Sequence, residues 1–262
     1  MSTSPGATVV KIGGSTLGAE DTSLEDIVAL AESGAHPVIV HGGGALISGW
    51  LDRLGLESTF VDGLRATDEE ALDVVIAVLR GVVNARLVAQ LVALGGNAIG
   101  ISGLDGGCVR AERYDERLGF VGQISSVDGA FLGSLLDAGL IPVIAPIGLE
   151  APSQPVNINA DTVAGEVARA LGAKRLIFLT DVEGLLDAEG ALIGELTTPI
   201  AADLRAVGTL AGGMIPKIDA CFRAAEAGVA AYVANGMIGR TVRRIADGES
   251  LGTRVTASMT GG

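Results

Sequence analysis

Short runs of β-branched and aliphatic residues alternate with helix-length amphipathic segments, and this alternation restricts the fold more than any other feature. The runs are predicted strands and lie at 8–12, 37–40, 98–101, 142–145, 176–179 and 229–233. Because strands that alternate with helices form βαβ units, the sequence predicts an α/β fold with a mainly parallel sheet and helices on both faces. Only 3% of the residues are aromatic. A core of Val, Ile, Leu and Ala suits such a sheet.

Two stretches depart from the alternation, 58–62 and 107–127, where polar and apolar residues interleave around glycine. This pattern is typical of β-hairpins, and we expect them to form a lid over a small substrate. The β/α alternation restarts after about residue 172 without any Pro- or Ser-rich linker. We therefore predict two joined halves, 1–172 and 173–262.

Helix starts are predicted at two capping boxes, in which a threonine precedes a glutamate by three residues. One pairs Thr22 with Glu25, and the other pairs Thr67 with Glu70.

The net charge of −13 argues against nucleic-acid or anionic-membrane partners, because both require a basic surface. No charge-free apolar window of about 18 residues occurs, as a membrane span would require. Cys108 and Cys221 lie far apart without CxxC spacing, which favours buried thiols in a reducing compartment. We expect a cytoplasmic protein.

Glycine clusters follow the first two predicted strands. Lys11 and Ile12 precede Gly13 and Gly14, and His41 precedes a triplet at 42–44. Backbone N–H groups in such turns can cradle a phosphate or carboxylate at the carboxyl edge of the sheet, although glycine also simply permits tight turns. The sequence has neither GxxxxGK[ST] nor GxGxxG, which argues against a P-loop NTPase and a Rossmann dehydrogenase.

Lysine is rare: the chain has only three, against 15 arginines. Lys11 and Lys217 adjoin glycine-rich turns, whereas Lys174 is predicted to be a surface residue. An ammonium on a flexible stem can follow a moving phosphoryl group, which favours a catalytic role for the first two lysines. The alternative is that a bias towards arginine spared them by chance.

The segment 157–161 reads Asn-Ile-Asn-Ala-Asp before a predicted helix. Asn159 or Asp161 could cap that helix, Asp161 could hold both lysines, and the two roles are compatible. Arg65 follows a glycine turn and could clamp a carboxylate, or be an ordinary surface residue. His41 has no partner at metal-ligand spacing, so we predict a structural role at a strand end and no metal site.

Six motifs in order along the chain strongly resemble the acetylglutamate kinases. They are KIGG at 11–14, HGGG at 41–44, GLRAT at 63–67, NINAD at 157–161, TDVEGL at 180–185 and GMIPK at 213–217.

The resemblance implies the amino-acid kinase fold, a three-layer αβα sandwich whose 1–172 lobe binds the acyl-amino acid and whose 173–262 lobe binds ATP. It implies that Lys11 and Lys217 stabilise the transferring phosphoryl group and that Asp161 orients them. The residues implied to bind substrate are Gly43, Gly44, Arg65, Asn157 and Asn159, with Arg65 on the α-carboxylate. The residues implied to border the nucleotide are Gly13, Gly14, Asp181, Val182, Glu183, Gly184, Leu185, Leu186, Thr209, Leu210, Ala211, Gly213 and Met214.

The implied reaction is phosphorylation of the side-chain carboxylate of N-acetyl-L-glutamate by MgATP, which yields N-acetyl-glutamyl 5-phosphate and ADP in the second step of arginine biosynthesis. Mg²⁺ would be held mainly by the nucleotide phosphates.

Two features depart from the family pattern: Leu104 stands where members often carry lysine, and about seven residues precede the first predicted strand. Arginine-inhibited members resemble one another in an N-terminal helix that links dimers into hexamers, so we expect a homodimer insensitive to arginine.

Two rival functions stay open. One is a kinase for carrier-linked aminoadipate or glutamate, although its relatives differ in the 42–44 and 157–161 motifs. The other is a non-catalytic amino-acid or nucleotide sensor, although such a protein is expected to have lost Lys11, Lys217 or Asp161.

Overall fold

A large, mostly parallel sheet runs through the molecule. The computed structural model describes residues 6–13, 22–61 and 63–257. The strands in those ranges are β1 (Ala7–Ile12), β2 (His36–His41), β3 (Phe60–Val61), β4 (Leu64–Arg65), β5 (Ala98–Ser102), β6 (Val109–Arg113), β7 (Gly122–Val127), β8 (Ile141–Ala145), β9 (Ile147–Glu150), β10 (Gln154–Asn157), β11 (Arg175–Thr180), β12 (Glu195–Thr197), β13 (Ala230–Asn235) and β14 (Thr253–Thr256).

Helices flank this sheet on both faces. They are α1 (Ser23–Glu32), α2 (Gly44–Leu54), α3 (Glu69–Ile76), α4 (Ala85–Ala93), α5 (Gly129–Asp137), α6 (Ala160–Leu171), α7 (Thr198–Ala206), α8 (Met214–Glu226) and α9 (Thr241–Ala246). A π-helical segment, Ala77–Asn84, joins α3 to α4.

The eight-stranded sheet has the order β12-β14-β13-β11-β1-β2-β8-β5. Its pairings are parallel except that of β13 with β14. The six predicted strands correspond to β1, β2, β5, β8, β11 and β13, so the predicted parallel sheet is confirmed.

Alternation of side chains along the buried strands builds a core on each face of the sheet. Val9 and Phe178 face one core with α5, α6, α7 and α8, while Val10 and Ile177 face the other with α1 to α4 and α9. The molecule is therefore a three-layer αβα sandwich, as the resemblance implied.

The predicted hairpin at 107–127 forms, and the predicted hairpin at 58–62 supplies only the first strand of a pair that extends to Arg65, with Asp62 outside the described residues. Strands β3 and β4 pair antiparallel, as do β6 and β7. The second pair joins a four-stranded sheet, β10-β9-β6-β7, whose antiparallel β9 and β10 were not predicted. Their sequences, IGLE and QPVN, lack the alternation of a half-buried strand.

Both predicted capping boxes are wrong in their hydrogen bonds. Thr22 does precede α1 but makes no side-chain cap, and its Oγ1 instead accepts from the Arg240 amide at 2.7 Å. The cap of α3 is Asp68, which accepts from the Ala71 amide at 2.8 Å. Tertiary contacts have taken the threonine hydroxyls in both cases.

Cys108 and Cys221 are buried free thiols, and burial raises the pKa of Cys108 to about 11. None of the helices in the described ranges is both long and apolar enough to cross a bilayer.

Candidate active site

The order in which the chain adds strands to the sheet reverses at β1. From β1 the chain builds outward through β2 towards β8 and β5, and it then returns to add β11 on the opposite side of β1. Open α/β sheets bind ligands beyond the carboxyl ends of their strands at such a switch point. Lys11 is the penultimate residue of β1 and is the register partner of Phe178 on β11. The switch point therefore coincides with a predicted catalytic lysine.

Three predicted catalytic residues meet there. The Lys11 Nζ lies 2.9 Å from Asp161 Oδ1, and the Lys217 Nζ donates a hydrogen bond of 3.1 Å to Asp161 Oδ2. Among the described residues, Oδ1 accepts no hydrogen bond of regular geometry, and its partner is the Lys11 charge. The three side chains are 12%, 9% and 9% exposed for Lys11, Asp161 and Lys217. A single carboxylate thus holds two ammonium groups in a nearly dry site, which keeps a net charge of +1.

The pKa shifts follow from this arrangement. Burial raises the pKa of Asp161, but the charges of Lys11 and Lys217 more than offset it, and the pKa lies below its ordinary value. Burial lowers the pKa of Lys217, and the Asp161 carboxylate only partly restores it. The charge on Lys217 is therefore less favourable here than in water and is available to stabilise an incoming anion.

Local structure explains how α6 and α8 present these side chains. Asn159 is the N-cap of α6, because its Oδ1 accepts from the amides of Asp161 at 2.9 Å and Thr162 at 3.1 Å. Asp161 therefore occupies the first turn and is not the cap. Lys217 lies in the first turn of α8, with its Nζ 5.0 Å from the centroid of the Phe178 ring. Phe178 forms an apolar, cation-attracting floor beneath the ammonium group.

The second glycine loop is held from behind by a buried network. His41 Nδ1 donates to the Gly42 carbonyl at 3.1 Å, and Asn84 Nδ2 donates to His41 Nε2 at 3.1 Å and to the Val143 carbonyl at 2.8 Å. These bonds require a neutral imidazole, and burial lowers the pKa of His41 to about 4. The predicted structural role of His41 thus includes holding the loop that leads into α2.

Gly43 and Gly44 form the start of α2. Gly43 is the N-cap residue, and a Cβ there would lie 2.7 Å from the Leu79 Cδ2 atom of the π-helical segment. The loop therefore packs directly on that segment, and a side chain at 43 would require the Leu79 side chain to move. The amides at the start of α2 are available to an anion.

Arg65 is buried, and its guanidinium is held by neutral groups. Its Nη2 donates to the Gly44 carbonyl at 3.0 Å and to Ser48 Oγ at 2.9 Å, and its Nη1 donates to Ser58 Oγ. The guanidinium carbon lies 4.7 Å from the centroid of Phe60. Burial lowers the pKa of Arg65. The cation is thus oriented by groups that do not neutralise it, as a carboxylate clamp requires.

Two adjacent cavities adjoin these groups. One of about 190 Å³ is lined by predicted substrate residues, among them Gly43, Gly44, Arg65, Asn157 and Asn159. The other, of about 700 Å³, extends along the first turns of α6 and α8 and shares Asn159 with the first. Asn157 Nδ2 donates to Thr67 Oγ1 at 3.1 Å and so ties the hairpin to β10. All five predicted substrate residues are therefore brought together.

The predicted nucleotide segments lie beyond β11 and before α8. In the first, Asp181, Val182, Glu183 and Leu186 are exposed, and Gly184 and Leu185 are buried against Thr253, whose Oγ1 accepts from the Leu185 amide at 2.8 Å. In the second, Thr209, Ala211 and Gly213 are exposed and Met214 is half-buried. Leu185 and Leu210 place their side chains in the core, so only their backbone can face a ligand. Gly13 follows β1, and Gly14 lies outside the described residues.

Sequence reasoning missed the residues that support the site, namely Phe178, Ser48, Ser58, Thr67 and Asn84. Ser48 could have been found, because it lies four residues after Gly44 on a predicted helix and so faces the same side. Thr67 lies within the GLRAT motif at 63–67, whereas Phe178, Ser58 and Asn84 carry no local signal, since their roles arise from strand order and hairpin placement.

Comparison with known proteins agrees with this geometry. The family model described as the amino acid kinase family matches residues 6–235. An acetylglutamate kinase of Dehalococcoides mccartyi is 42% identical over 247 residues, which is 92% of this chain and 91% of that protein. An acetylglutamate kinase of Acidiphilium cryptum is 48% identical over 241 residues, which is 86% of this chain and 81% of that protein. A crystal structure from Streptococcus mutans superposes with a TM-score of 0.83 at 28% identity and covers 95% of this chain and 98% of that one.

Proposed function

We infer, because this chain belongs to the amino acid kinase family and within it to the acetylglutamate kinases, that it transfers the γ-phosphoryl group of ATP to the side-chain carboxylate of N-acetyl-L-glutamate. The products are N-acetyl-glutamyl 5-phosphate and ADP, and the reaction serves arginine biosynthesis. The observation that carries the proposal is the bridge that Asp161 forms between Lys11 and Lys217.

The acceptor needs no general base. A side-chain carboxyl has an ordinary pKa of about 4 and is already ionised at neutral pH. A carboxylate oxygen attacks the γ-phosphorus, the bond from that phosphorus to the β,γ-bridging oxygen breaks, and ADP leaves with the bonding electrons. The difficulty is electrostatic, since an anion must approach a polyanion.

The two lysines answer that difficulty. Lys11, near the end of β1, and Lys217, in the first turn of α8, both reach the Asp161 carboxylate. Asp161 cancels only one of their two positive charges. The remaining positive charge stabilises the transferring phosphoryl group. We assign the α-carboxylate to Arg65 and the rest of the acyl-amino acid to Gly43, Gly44, Asn157 and Asn159, which line the smaller cavity.

The nucleotide is assigned to the 173–262 lobe and the acyl-amino acid to the 1–172 lobe. The assignment is supported by chain position: Gly13 follows β1, the segment 181–186 follows β11, and the segment 209–211 precedes α8, the helix that carries Lys217. In the described ranges, no three His, Cys, Asp or Glu side chains gather into a metal site. We propose that Mg²⁺ would enter with ATP, held mainly by the phosphates, and would supply charge neutralisation there.

The proposal also includes a homodimer and a cytoplasmic location. Leu46, Trp50 and Leu54 are spaced four residues apart on α2 and are 41%, 37% and 59% exposed, which forms an apolar stripe suited to a second copy. Sedimentation equilibrium tests the dimer, and a monomer at micromolar concentration would contradict it. The buried free thiols Cys108 and Cys221 suit a reducing compartment.

The test measures ADP release with MgATP and free N-acetyl-L-glutamate, with hydroxylamine to trap the acyl phosphate. Lys217→Ala should lower kcat by about two orders of magnitude or more, because it removes a charge aimed at the phosphoryl group. Lys174→Ala is the matched control, since Lys174 is exposed ahead of β11 and should leave kcat unchanged.

Three other outcomes would contradict the proposal. Turnover only with a carrier-protein conjugate would favour the carrier-linked kinase. MgATP binding without turnover on any acyl-amino acid would favour a sensor. Equal rates for Lys217→Ala and wild type would remove Lys217 from the mechanism.

A further inference from the structure

The helices that carry Asp161 and Lys217 cross at unusually short range. Gly165 lies four residues after Asp161 on α6, and Ala220 lies three residues after Lys217 on α8, so each pair shares a helix face. Gly165 is buried, and Ala220 is fully buried. A Cβ atom at Gly165 would lie 3.0 Å from the Ala220 Cβ, 3.3 Å from its carbonyl oxygen and 3.4 Å from its Cα.

A methyl group at 165 would make contacts tighter than nearly all Cβ contacts in proteins. Carbon atoms normally pack at about 3.5–4.0 Å, so a methyl at 165 would require the helices to separate locally by a few tenths of an ångström. The shortest of the three distances is to the Ala220 Cβ, which has no rotamer to escape into, whereas the two backbone atoms of α8 lie closer to ordinary contact distance. The strain must therefore move a helix.

The crossing lies beside the catalytic ion pairs. One turn before it along each helix is the contact of 3.1 Å between Lys217 Nζ and Asp161 Oδ2. Immediately after it, Arg223 Nε lies 3.1 Å from Glu166 Oε1 and again joins α8 to α6. Because α6 belongs to the 1–172 half and α8 to the other, this crossing also sets how the halves meet.

We propose that Gly165 is a positioning residue for the phosphoryl transfer: its missing side chain lets α8 approach α6 closely enough for Asp161 to hold Lys217 at the reacting centre. The proposal rests on the proposed function and adds a residue that touches neither substrate. Its effect should fall mainly on kcat, since Arg65 and Gly43 lie on other elements and Asn159, the N-cap of α6, is the substrate residue that this helix pair carries.

The experiment compares Gly165→Ala, Ala220→Gly and the double variant in steady-state kinetics. We expect Gly165→Ala to lower kcat about tenfold, because a displacement of a few tenths of an ångström is a fraction of the roughly 1 Å that costs about 100-fold at a reacting centre. The KM values for both substrates should stay within about threefold. Ala220→Gly in the same chain removes the opposing methyl, so the double variant should regain kcat to within about threefold of Ala220→Gly alone.

Gly49→Ala is the matched control. Gly49 lies within α2, and a Cβ there would meet nothing within 4 Å, so the same substitution should leave kcat unchanged. Thermal unfolding of each variant separates positioning from stability. A lowered melting temperature with unchanged kcat in Gly165→Ala would overturn the proposal, as would a double variant as slow as Gly165→Ala.

Two further outcomes remain decisive. If Gly165→Ala does not fold, the double variant must fold and turn over, and its failure to do so refutes the inference. If the wild type does not turn over N-acetyl-L-glutamate, the proposed function fails. The effect of Gly165 on the packing of α6 against α8 is then tested by crystal structures of the wild type and Gly165→Ala. A Lys217 Nζ to Asp161 Oδ2 distance clearly beyond 3.1 Å in Gly165→Ala supports the crossing, and an unchanged distance overturns it.

Discussion

Replacing Asp161 by asparagine tests the electrostatic account most directly. The substitution keeps the shape of the side chain but removes the carboxylate that Lys11 and Lys217 share. The wild-type cluster carries a net charge of +1, and the variant would carry +2 in a site where the side chains are at most 12% exposed.

The magnitude follows from two bounds. With an effective dielectric constant of about 20, each ion pair at 2.9 or 3.1 Å contributes about 5 kcal/mol of Coulomb attraction. Asp161→Asn does not lose the full Coulomb attraction of both ion pairs, because one lysine can release its proton. The net charge of the cluster then returns to +1. From an ordinary pKa of 10.5, deprotonation at pH 7.5 costs about 4 kcal/mol, and at pH 9 about 2 kcal/mol.

We therefore expect Asp161→Asn to lower the free energy of unfolding by about 3–4 kcal/mol at pH 7.5, a loss typical of breaking a buried ion pair. The loss should shrink as the pH rises, because a lysine with a depressed folded pKa favours folding when the solution is more alkaline. Urea denaturation at pH 7.5 and 9 measures both values, and kcat should fall about 100-fold or more as Lys217 loses its charge.

Asp219→Asn provides the control on the same helix as Lys217. Asp219 pairs with Arg205 at the surface, with its side chain 38% exposed, and such pairs contribute at most about 1 kcal/mol. A loss below about 1 kcal/mol in Asp161→Asn, or an equal loss at both pH values, would refute the reasoning.

Two other predictions concern substrate binding and pH. Arg65→Lys should raise the KM for N-acetyl-L-glutamate about tenfold or more at similar kcat, because an ammonium cannot both bond Gly44 and Ser48 and clamp a carboxylate; an unchanged KM would contradict this. His41 should make the wild type less stable as the pH falls from 6.5 to about 4, by up to about 3 kcal/mol, since only the unfolded state readily takes up the proton. His41→Gln should lack that step in urea titrations, and an identical pH dependence would remove His41 as its source.

The sequence predicts the strands well because their chemistry is local. The predicted strands are rich in aliphatic residues, and those inside the sheet are buried on both faces, as parallel sheets require, while the edge strand β5 is partly half-buried. The capping boxes fail for the opposite reason. Whether Thr22 or Thr67 caps a helix depends on what else reaches its hydroxyl, and Arg240 and Asn157 come from distant parts of the chain.

The site residues also divide into those with a local sequence signal and those whose roles depend on distant parts of the chain. Gly43 and Lys11 are identifiable because each follows or ends a strand, and carboxyl ends of parallel strands share one edge. The residues that support Gly43 and Lys11 come together through the lateral order of the strands. The periodicity of apolar residues along the sequence does not encode that order. Phe178 lies under Lys217 because β11 pairs with β1, which makes Phe178 the register partner of Lys11.

Lateral order also explains why one aspartate suffices for two lysines that are 206 positions apart in the chain, at 11 and 217. Pairing of β1 with β11 places Lys11 beside Phe178, the residue that lies under Lys217. The close approach of α6 to α8 at Gly165 places Asp161 between the two lysines. A second carboxylate would cancel the remaining positive charge and repel the phosphates. With none, two buried ammonium groups would repel each other and one would lose its proton. The ratio of two lysines to one aspartate is therefore the one that both folds and attracts an anion.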